Sequence, residues 1–163
     1  MTQASAPMSA AIKVITGIVL VMTVAIFLAA VKVGPLLWGG AVLATVVFFC
    51  YLYAPIAYEL TGDELTVRLR MGQKVFQAVT GCTTLTGRPP MGLRLWGNGG
   101  LFAGTGIFWN QAYGVYRAYV TSARYQDYVL VETRTQKILI SPENPEEFVR
   151  TWASSAPAAP APG

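Results

Sequence analysis

Few residues in this sequence have side chains suited to catalysis or metal binding. There is no histidine, and the two cysteines, Cys50 and Cys82, lie in different regions, one inside an apolar run and one beyond it. Glu59, Asp127 and Glu132 are isolated among predicted strands and lack the paired spacing of a general acid and base. No group of residues has the ligand spacing of a zinc site. The sequence therefore predicts a protein that is not an enzyme and that uses no cofactor.

Other residues are better suited to surface contact than to chemistry. Two arginines lie on one face of a predicted strand, where they are either simply solvated or attracted to an anionic membrane. Residues 92–114 combine many glycines with aromatic and aliphatic side chains. Either the glycines form bulges and turns while the aromatics fill a core, or the segment docks on a bilayer or a partner. The candidate partner or lipid contacts are Arg68, Arg70, Trp96, Leu101 and Phe102.

Charge is distributed unevenly along the chain. Residues 1–55 contain two charged side chains, Lys13 and Lys32, and the eight acids and ten other bases all follow. Only 12% of the residues are charged, whereas soluble chains average roughly 25%. The net charge of +4 is too small and too scattered for a nucleic-acid interface. The glycine-rich segment also lacks the following helix of a nucleotide-binding loop.

Two long uncharged runs predict a hairpin of membrane-spanning helices over residues 12–32 and 36–55. A helix of about 20 residues crosses the roughly 30 Å hydrocarbon core of a bilayer. One continuous helix would place Lys32 in hydrocarbon, at roughly 2.5–3.5 kcal/mol, and would break at Gly34-Pro35. Small residues at matching depths would let the two helices pack closely. These are Ala25, Ala29, Gly40 and Ala44.

Basic residues near the ends of the spans predict the orientation. Lys13 precedes the first run, and Arg68, Arg70 and Lys74 follow the second. The positive-inside rule then places both termini in the cytoplasm. Two alternatives remain open at this point. The first run resembles a signal peptide that is cleaved after Ala29-Ala30, and both runs resemble the buried helices of a soluble core.

Beyond residue 55 the apolar period changes to two, which is typical of strands. Leu65, Val67 and Leu69 alternate with polar residues, and a turn at 61–63 joins them to an earlier strand at 56–60. Short strands with tight turns favour an antiparallel sheet, sandwich or barrel. Further strands are predicted at 74–80, 115–122, 125–134 and 137–140.

A helix is predicted near the C-terminal end. Asn144 is a suitable N-cap, Pro145 suits the first helical position, and Glu147 completes a capping-box-like arrangement. Phe148 and Trp152 lie four residues apart, so they share a helix face that we expect to cover the open end of the sheet.

Four segments beyond the apolar runs resemble a known family: Asp63–Val67, Leu93–Phe102, Gly114–Thr121 and Ile140–Phe148. Together with the two-helix hairpin they resemble the membrane-anchored bacterial PH-like (pleckstrin-homology-like) domain proteins. The resemblance covers residues 56–150 and implies a seven-stranded, partly open barrel with a C-terminal helix. Phosphoinositide binding by eukaryotic PH domains is not implied, because the first hairpin turn here, Thr61–Glu64, is acidic.

The predicted fold class is thus an α+β membrane protein of the bacterial inner membrane. A two-helix transmembrane hairpin precedes a mainly antiparallel PH-like β-barrel or sandwich with a C-terminal capping helix. The predicted regions are a flexible N-terminus at 1–11, the two spans within 12–55, a β domain at 56–153 that ends in a helix at 145–153, and a disordered tail at 154–163.

The predicted function is that of a membrane-tethered interaction module that binds a protein partner. The alternative is a sensor of the anionic lipid surface, which would use the basic strand face and the glycine-rich aromatic segment. The expected partners are the bilayer itself and an unidentified protein, with self-association as a further candidate. No nucleic acid is expected.

Overall fold

A computed structural model describes residues 2–30, 34–85, 92–99 and 101–155. Part of the predicted interhelical loop, including Lys32, and most of the predicted tail, 156–163, lie outside the described residues. The helices are α1 (Ala10–Ala30), α2 (Gly34–Leu52) and α3 (Pro145–Ser155). The strands are β1 (Thr2–Ser5), β2 (Pro55–Thr61), β3 (Glu64–Leu69), β4 (Gln73–Phe76), β5 (Val79–Thr84), β6 (Leu93–Gly99), β7 (Gly104–Asn110), β8 (Gly114–Val120), β9 (Val129–Thr133) and β10 (Lys137–Ile140).

The described strands form two open sheets. The first has the order β1-β2-β3-β4, and the second has the order β5-β9-β10-β8-β7-β6. All strand pairs are antiparallel except β8 with β10. The expected seven-stranded, partly open barrel is therefore wrong, because the strands divide into two open sheets, as in the sandwich alternative. The α+β class and the mainly antiparallel pairing are confirmed. The predicted strand at 74–80 is divided between the sheets, because the chain turns at Ala78, which has a φ of 59°.

Apolar residues from both sheets meet in one core. The first sheet contributes Tyr58 and Val67, the second contributes Val131 and Ile138, and α3 contributes Phe148. Helix α3 begins as predicted, since the Asn144 carbonyl accepts a hydrogen bond from the Phe148 N–H at 3.0 Å. The Trp152 indole donates to the Gly62 carbonyl at 3.3 Å. The helix thus closes the end of the sandwich at the β2–β3 turn.

Helices α1 and α2 pack against each other in opposite directions. A Cβ atom at Gly40 would lie 3.4 Å from the Phe27 ring, and Val19 packs near Val47. Gly40 therefore faces α1, but it meets Phe27 there. Ala25 and Ala29 are exposed, so the predicted close packing of small residues at matching depths is not seen. Within the described part of the chain, α1 is long and apolar enough to cross a membrane, whereas the apolar stretch of α2, Leu37–Leu52, is shorter.

The structure differs from the prediction at the N-terminus. Residues 2–5, expected to be flexible, form β1, which pairs with β2 from Thr2 opposite Leu60 to Ser5 opposite Ala57. Strand β2 offers unpaired backbone groups along this edge, and pairing with β1 satisfies them. Because β1 directly precedes α1 and β2 directly follows α2, this pairing joins the two open ends of the helix pair to the β domain.

Candidate functional site

The glycine-rich segment forms the β6–β7 hairpin. Gly97 and Gly106 face each other across its strands and have φ values of 115° and 154°. A Cβ atom at Gly97 would lie 2.3 Å from the Thr105 carbonyl oxygen, and one at Gly106 would lie 2.1 Å from that of Trp96. Glycine is therefore required at both positions, because any side chain would collide with the opposite backbone.

The tip of this hairpin packs on the two helices. Phe102 is 9% exposed, and its backbone N–H donates to Thr16 Oγ1 of α1 at 3.0 Å. Leu101 and Phe102 share an apolar cluster with Val47 and Cys50 of α2. We call this contact the helix–hairpin junction: Thr16, Val47, Cys50, Tyr51, Leu101 and Phe102.

Arg70 strengthens the same junction. Its guanidinium carbon lies 4.4 Å from the centre of the Tyr51 ring, and its Nη1 donates to the Tyr51 hydroxyl at 3.3 Å. The Tyr51 ring in turn meets Phe102 edge-on, with 5.3 Å between ring centres. A cation–π contact and an edge-to-face aromatic pair each contribute about 0.5–1.5 kcal/mol.

The five predicted contact residues therefore do not form one surface. Arg70, Leu101 and Phe102 belong to the helix–hairpin junction. Arg68 Nε lies 2.8 Å from Glu59 Oε1, so its charge is matched within the first sheet. Trp96 is open, with 78% of its surface exposed, and Arg68 is also solvent-exposed despite its ion pair.

An open surface nevertheless exists on the second sheet, which is two strands wider than the first. Directly paired residues on neighbouring strands point to the same face. Trp96, Ile107 and Arg117 form one such row, which continues to Ile138 in the core between the sheets. On strands β6 to β8, this face of the second sheet extends beyond the core between the two sheets. We call it the overhanging face: Leu93, Trp96, Ile107, Trp109, Val115 and Arg117.

A cleft of about 450 Å³ lies between the overhanging face, the C-terminal end of α2 and the edge of the first sheet. Its lining is mostly apolar, but Lys74 and Arg117 also line it. We call it the α2 cleft. Its full lining consists of Phe49, Cys50, Tyr53, Leu69, Lys74, Trp96, Gly97, Asn98, Thr105, Gly106, Ile107, Arg117 and Tyr119.

Sequence reasoning missed Lys74 and Arg117 as site residues. Lys74 lies opposite Val67 in the strand register, so it occupies the inward face of an edge strand. Arg117 lies between the buried residues Tyr116 and Ala118. This alternation alone suggests that the Arg117 side chain lies on a solvated outer face of the sheet. Only the pairing of β8 with β7 and β10 shows that Arg117 lies on the inner face.

Two titratable groups lie in the core rather than in the cleft. Burial raises the pKa of Tyr58 to about 12, and its hydroxyl donates to the Tyr119 carbonyl at 2.6 Å. Burial also raises the pKa of the Cys82 thiol to about 12. Both groups are therefore neutral at physiological pH and stabilise packing. Within the described residues, no group of three histidine, cysteine or acidic side chains is placed to hold a metal.

The fold and the site define a binding domain: two packed sheets, a capping helix and an open apolar face with cations. Residues 56–156 match the family model described as Bacterial PH domain, and the chain belongs to this family. The resemblance found in the sequence is thereby confirmed for the β domain, and the match begins beyond α2. PH-like domains are generally non-catalytic binding modules. Comparison with curated proteins and with solved structures gave no match.

Proposed function

We propose that this protein is a membrane-tethered binding module of the bacterial inner membrane and that its overhanging face binds lipid at the cytoplasmic surface. One observation carries the proposal: the helix–hairpin junction fixes the hairpin beside two apolar helices. The exposed apolar side chains of β6 are thereby held next to exposed apolar side chains of α2. In this proposal the bilayer itself is the principal partner.

The anchor in this proposal consists of two spans, α1 and α2. The apolar length of α1 and the antiparallel packing of α2 on it support a hairpin that crosses the bilayer and returns. The pairing of β1 with β2 supports placing the N-terminus on the same side as the β domain. The basic residues of the β domain favour the cytoplasmic side.

The depth of the hairpin follows from the helix geometry. Thr16 lies six residues after the start of α1, and Val47 lies five residues before the end of α2. At 1.5 Å per residue, the hairpin tip lies about 8 Å along the helices from the ends that join the β domain. In this proposal Leu95 and Trp96, which lie beside the last turns of α2, are near the membrane surface, where tryptophan is favoured.

Photo-cross-linking in cells tests the proposal. A photoreactive benzoylphenylalanine is placed at position 96 of the full-length protein, with a control at Thr135, an exposed turn residue between β9 and β10. We expect adducts with the mass of a phospholipid from position 96 and none from position 135. Equal lipid labelling at the two positions would contradict the proposal.

A protein partner is the second candidate, favoured by one observation. Strand β6 is an edge of the second sheet, and residues 93–97 are exposed there. An extended segment of a partner can add to such an edge by main-chain hydrogen bonds. In the same experiment, a protein adduct from position 96 in place of lipid would favour this candidate.

A further inference from the structure

We infer that the α2 cleft binds one anionic phospholipid molecule, with Lys74 and Arg117 at its phosphate and the apolar lining along its acyl chains. This inference rests on the proposed membrane location. It goes beyond general surface contact, because it assigns a site, a ligand class and the two side chains that recognise the charge.

The charge of the α2 cleft is unmatched. No acidic side chain lines it, and neither Lys74 nor Arg117 has an ion pair with any described residue. Most described cations of the β domain likewise lack an ion pair, with Arg68 and Lys137 as the exceptions. Lys74 and Arg117 are therefore distinguished by their shared position on one mostly apolar cleft. Arg117 is only partly exposed, and an isolated cation held away from water is costly unless an anion compensates it. A phosphate group supplies that compensation.

The shape of the site distinguishes a lipid from a small anion. Beyond Trp96, the α2 cleft continues into a groove between α2 and β6. Its lining is mostly apolar, with Val46, Phe49 and Leu95, but also includes Thr45 and Arg94. This groove runs from the β domain toward the middle of α2. A ligand that fits both parts carries its charge at one end and hydrocarbon at the other. An anionic phospholipid has this arrangement, and its chains would lie along a helix that already faces the bilayer.

Native mass spectrometry of the full-length protein in mild detergent tests the inference. The probes are phosphatidylglycerol and phosphatidylcholine, and the variants are the double substitution Lys74→Gln with Arg117→Gln and the control Arg134→Gln. Arg134 is exposed in the β9–β10 turn and does not line the cleft. We expect wild type and control to retain one phosphatidylglycerol. We expect the double variant to bind it at least about tenfold more weakly, because charge-assisted contacts are lost.

Four results would overturn the inference. They are equal retention by the double variant, equal retention of phosphatidylcholine by wild type, displacement of the lipid by inorganic phosphate, and a bound peptide instead of a lipid. Replacing Arg117→Gln in the double variant by Arg117→Lys, which keeps the charge, should restore part of the affinity for phosphatidylglycerol. An unchanged melting temperature of the double variant shows that unfolding does not cause its weaker binding.

The proposed function can be judged separately. Quenching of Trp96 by brominated lipids depends on the position of the hairpin and not on Lys74 or Arg117. If the double variant keeps that quenching but also keeps its lipid, the inference fails while the membrane location stands. If wild type and Trp96→Phe are quenched equally, Trp96 does not meet the acyl chains and the proposed function itself fails.

Discussion

The backbone N–H of Phe102 donates to Thr16 Oγ1 at 3.0 Å, and both residues are buried. This bond joins the tip of a β hairpin to the first helix across 86 residues of sequence. It gives the polar Thr16 a structural role inside an apolar run. It also sets the position of the β domain on the helix pair, which determines where Trp96 and the α2 cleft lie.

Removal of this bond should loosen the hairpin tip. Thr16→Val keeps the side-chain shape but leaves the buried Phe102 N–H without an acceptor, which costs about 1–3 kcal/mol. We expect hydrogen exchange at residues 101–104 to become about tenfold faster or more. Thr45→Val is the matched control, since the Thr45 hydroxyl donates to the Ala41 carbonyl within its own helix. Unchanged exchange in Thr16→Val would show that the bond does not hold the tip.

Close approach of β6 to β7 should make Gly97 intolerant of any side chain. In Gly97→Ala the new methyl group would meet the Thr105 carbonyl, so we expect a loss of more than about 3 kcal/mol, well above ordinary surface substitutions. Gly114 also has a positive φ, 68°, but a Cβ atom there has open space. Gly114→Ala should therefore cost only about 1–2 kcal/mol. Urea unfolding in detergent compares the two, and equal losses would contradict the described packing.

Stability should fall at high pH because of Tyr58. Burial raises its folded pKa to about 12 from an ordinary 10.0, so folding favours the neutral phenol. The resulting stabilisation is complete below pH 10 and is lost as the pH rises through 12. In Tyr58→Phe, the free energy of unfolding should fall less between pH 10 and 12, because the titrating phenol is absent. At pH 7 the variant should be less stable by about 1 kcal/mol, since the hydrogen bond to the Tyr119 carbonyl is removed. Unfolding curves from pH 7 to 12 measure both effects, with Tyr53→Phe as the exposed control.

Burial should also protect Cys82 from alkylation. Its raised pKa, about 12, keeps the thiol protonated and unreactive at pH 8.5. In a Cys50→Ala background we expect iodoacetamide to label Cys82 only after unfolding. Addition of Thr135→Cys provides an exposed thiol that should react at once. Rapid labelling of Cys82 in the folded protein would show that the core between the sheets opens readily.

Local patterns in the sequence predict the parts of the fold that depend on near neighbours. The β2–β3 hairpin follows from alternation around Gly62, and α3 follows from Asn144, Pro145 and Glu147. The seam between the sheets was not predicted, because the bend at Ala78 has no local signal. Strand β1 was missed because its stability comes from an edge of β2 more than 50 residues away.

The candidate site was harder to predict, because it depends on register. Arg70 and Phe102 look like free surface groups in the sequence, yet both pack on Tyr51. Conversely, Lys74 and Arg117 look like ordinary solvated residues, and only strand pairing places them on one cleft. The type of a residue therefore indicated its chemistry, whereas only the three-dimensional structure showed which residues lie next to it.

The most direct test of the account is the membrane depth of Trp96. The full-length protein is reconstituted with lipids brominated along their acyl chains, and the quenching of wild type is compared with that of Trp96→Phe and Trp152→Phe. Trp152 contacts the β2–β3 turn, about 20 Å along β2 from the helices. We predict that Trp96→Phe removes a large part of the quenching and that Trp152→Phe removes none. Equal quenching in wild type and Trp96→Phe would contradict the placement of the overhanging face at the membrane.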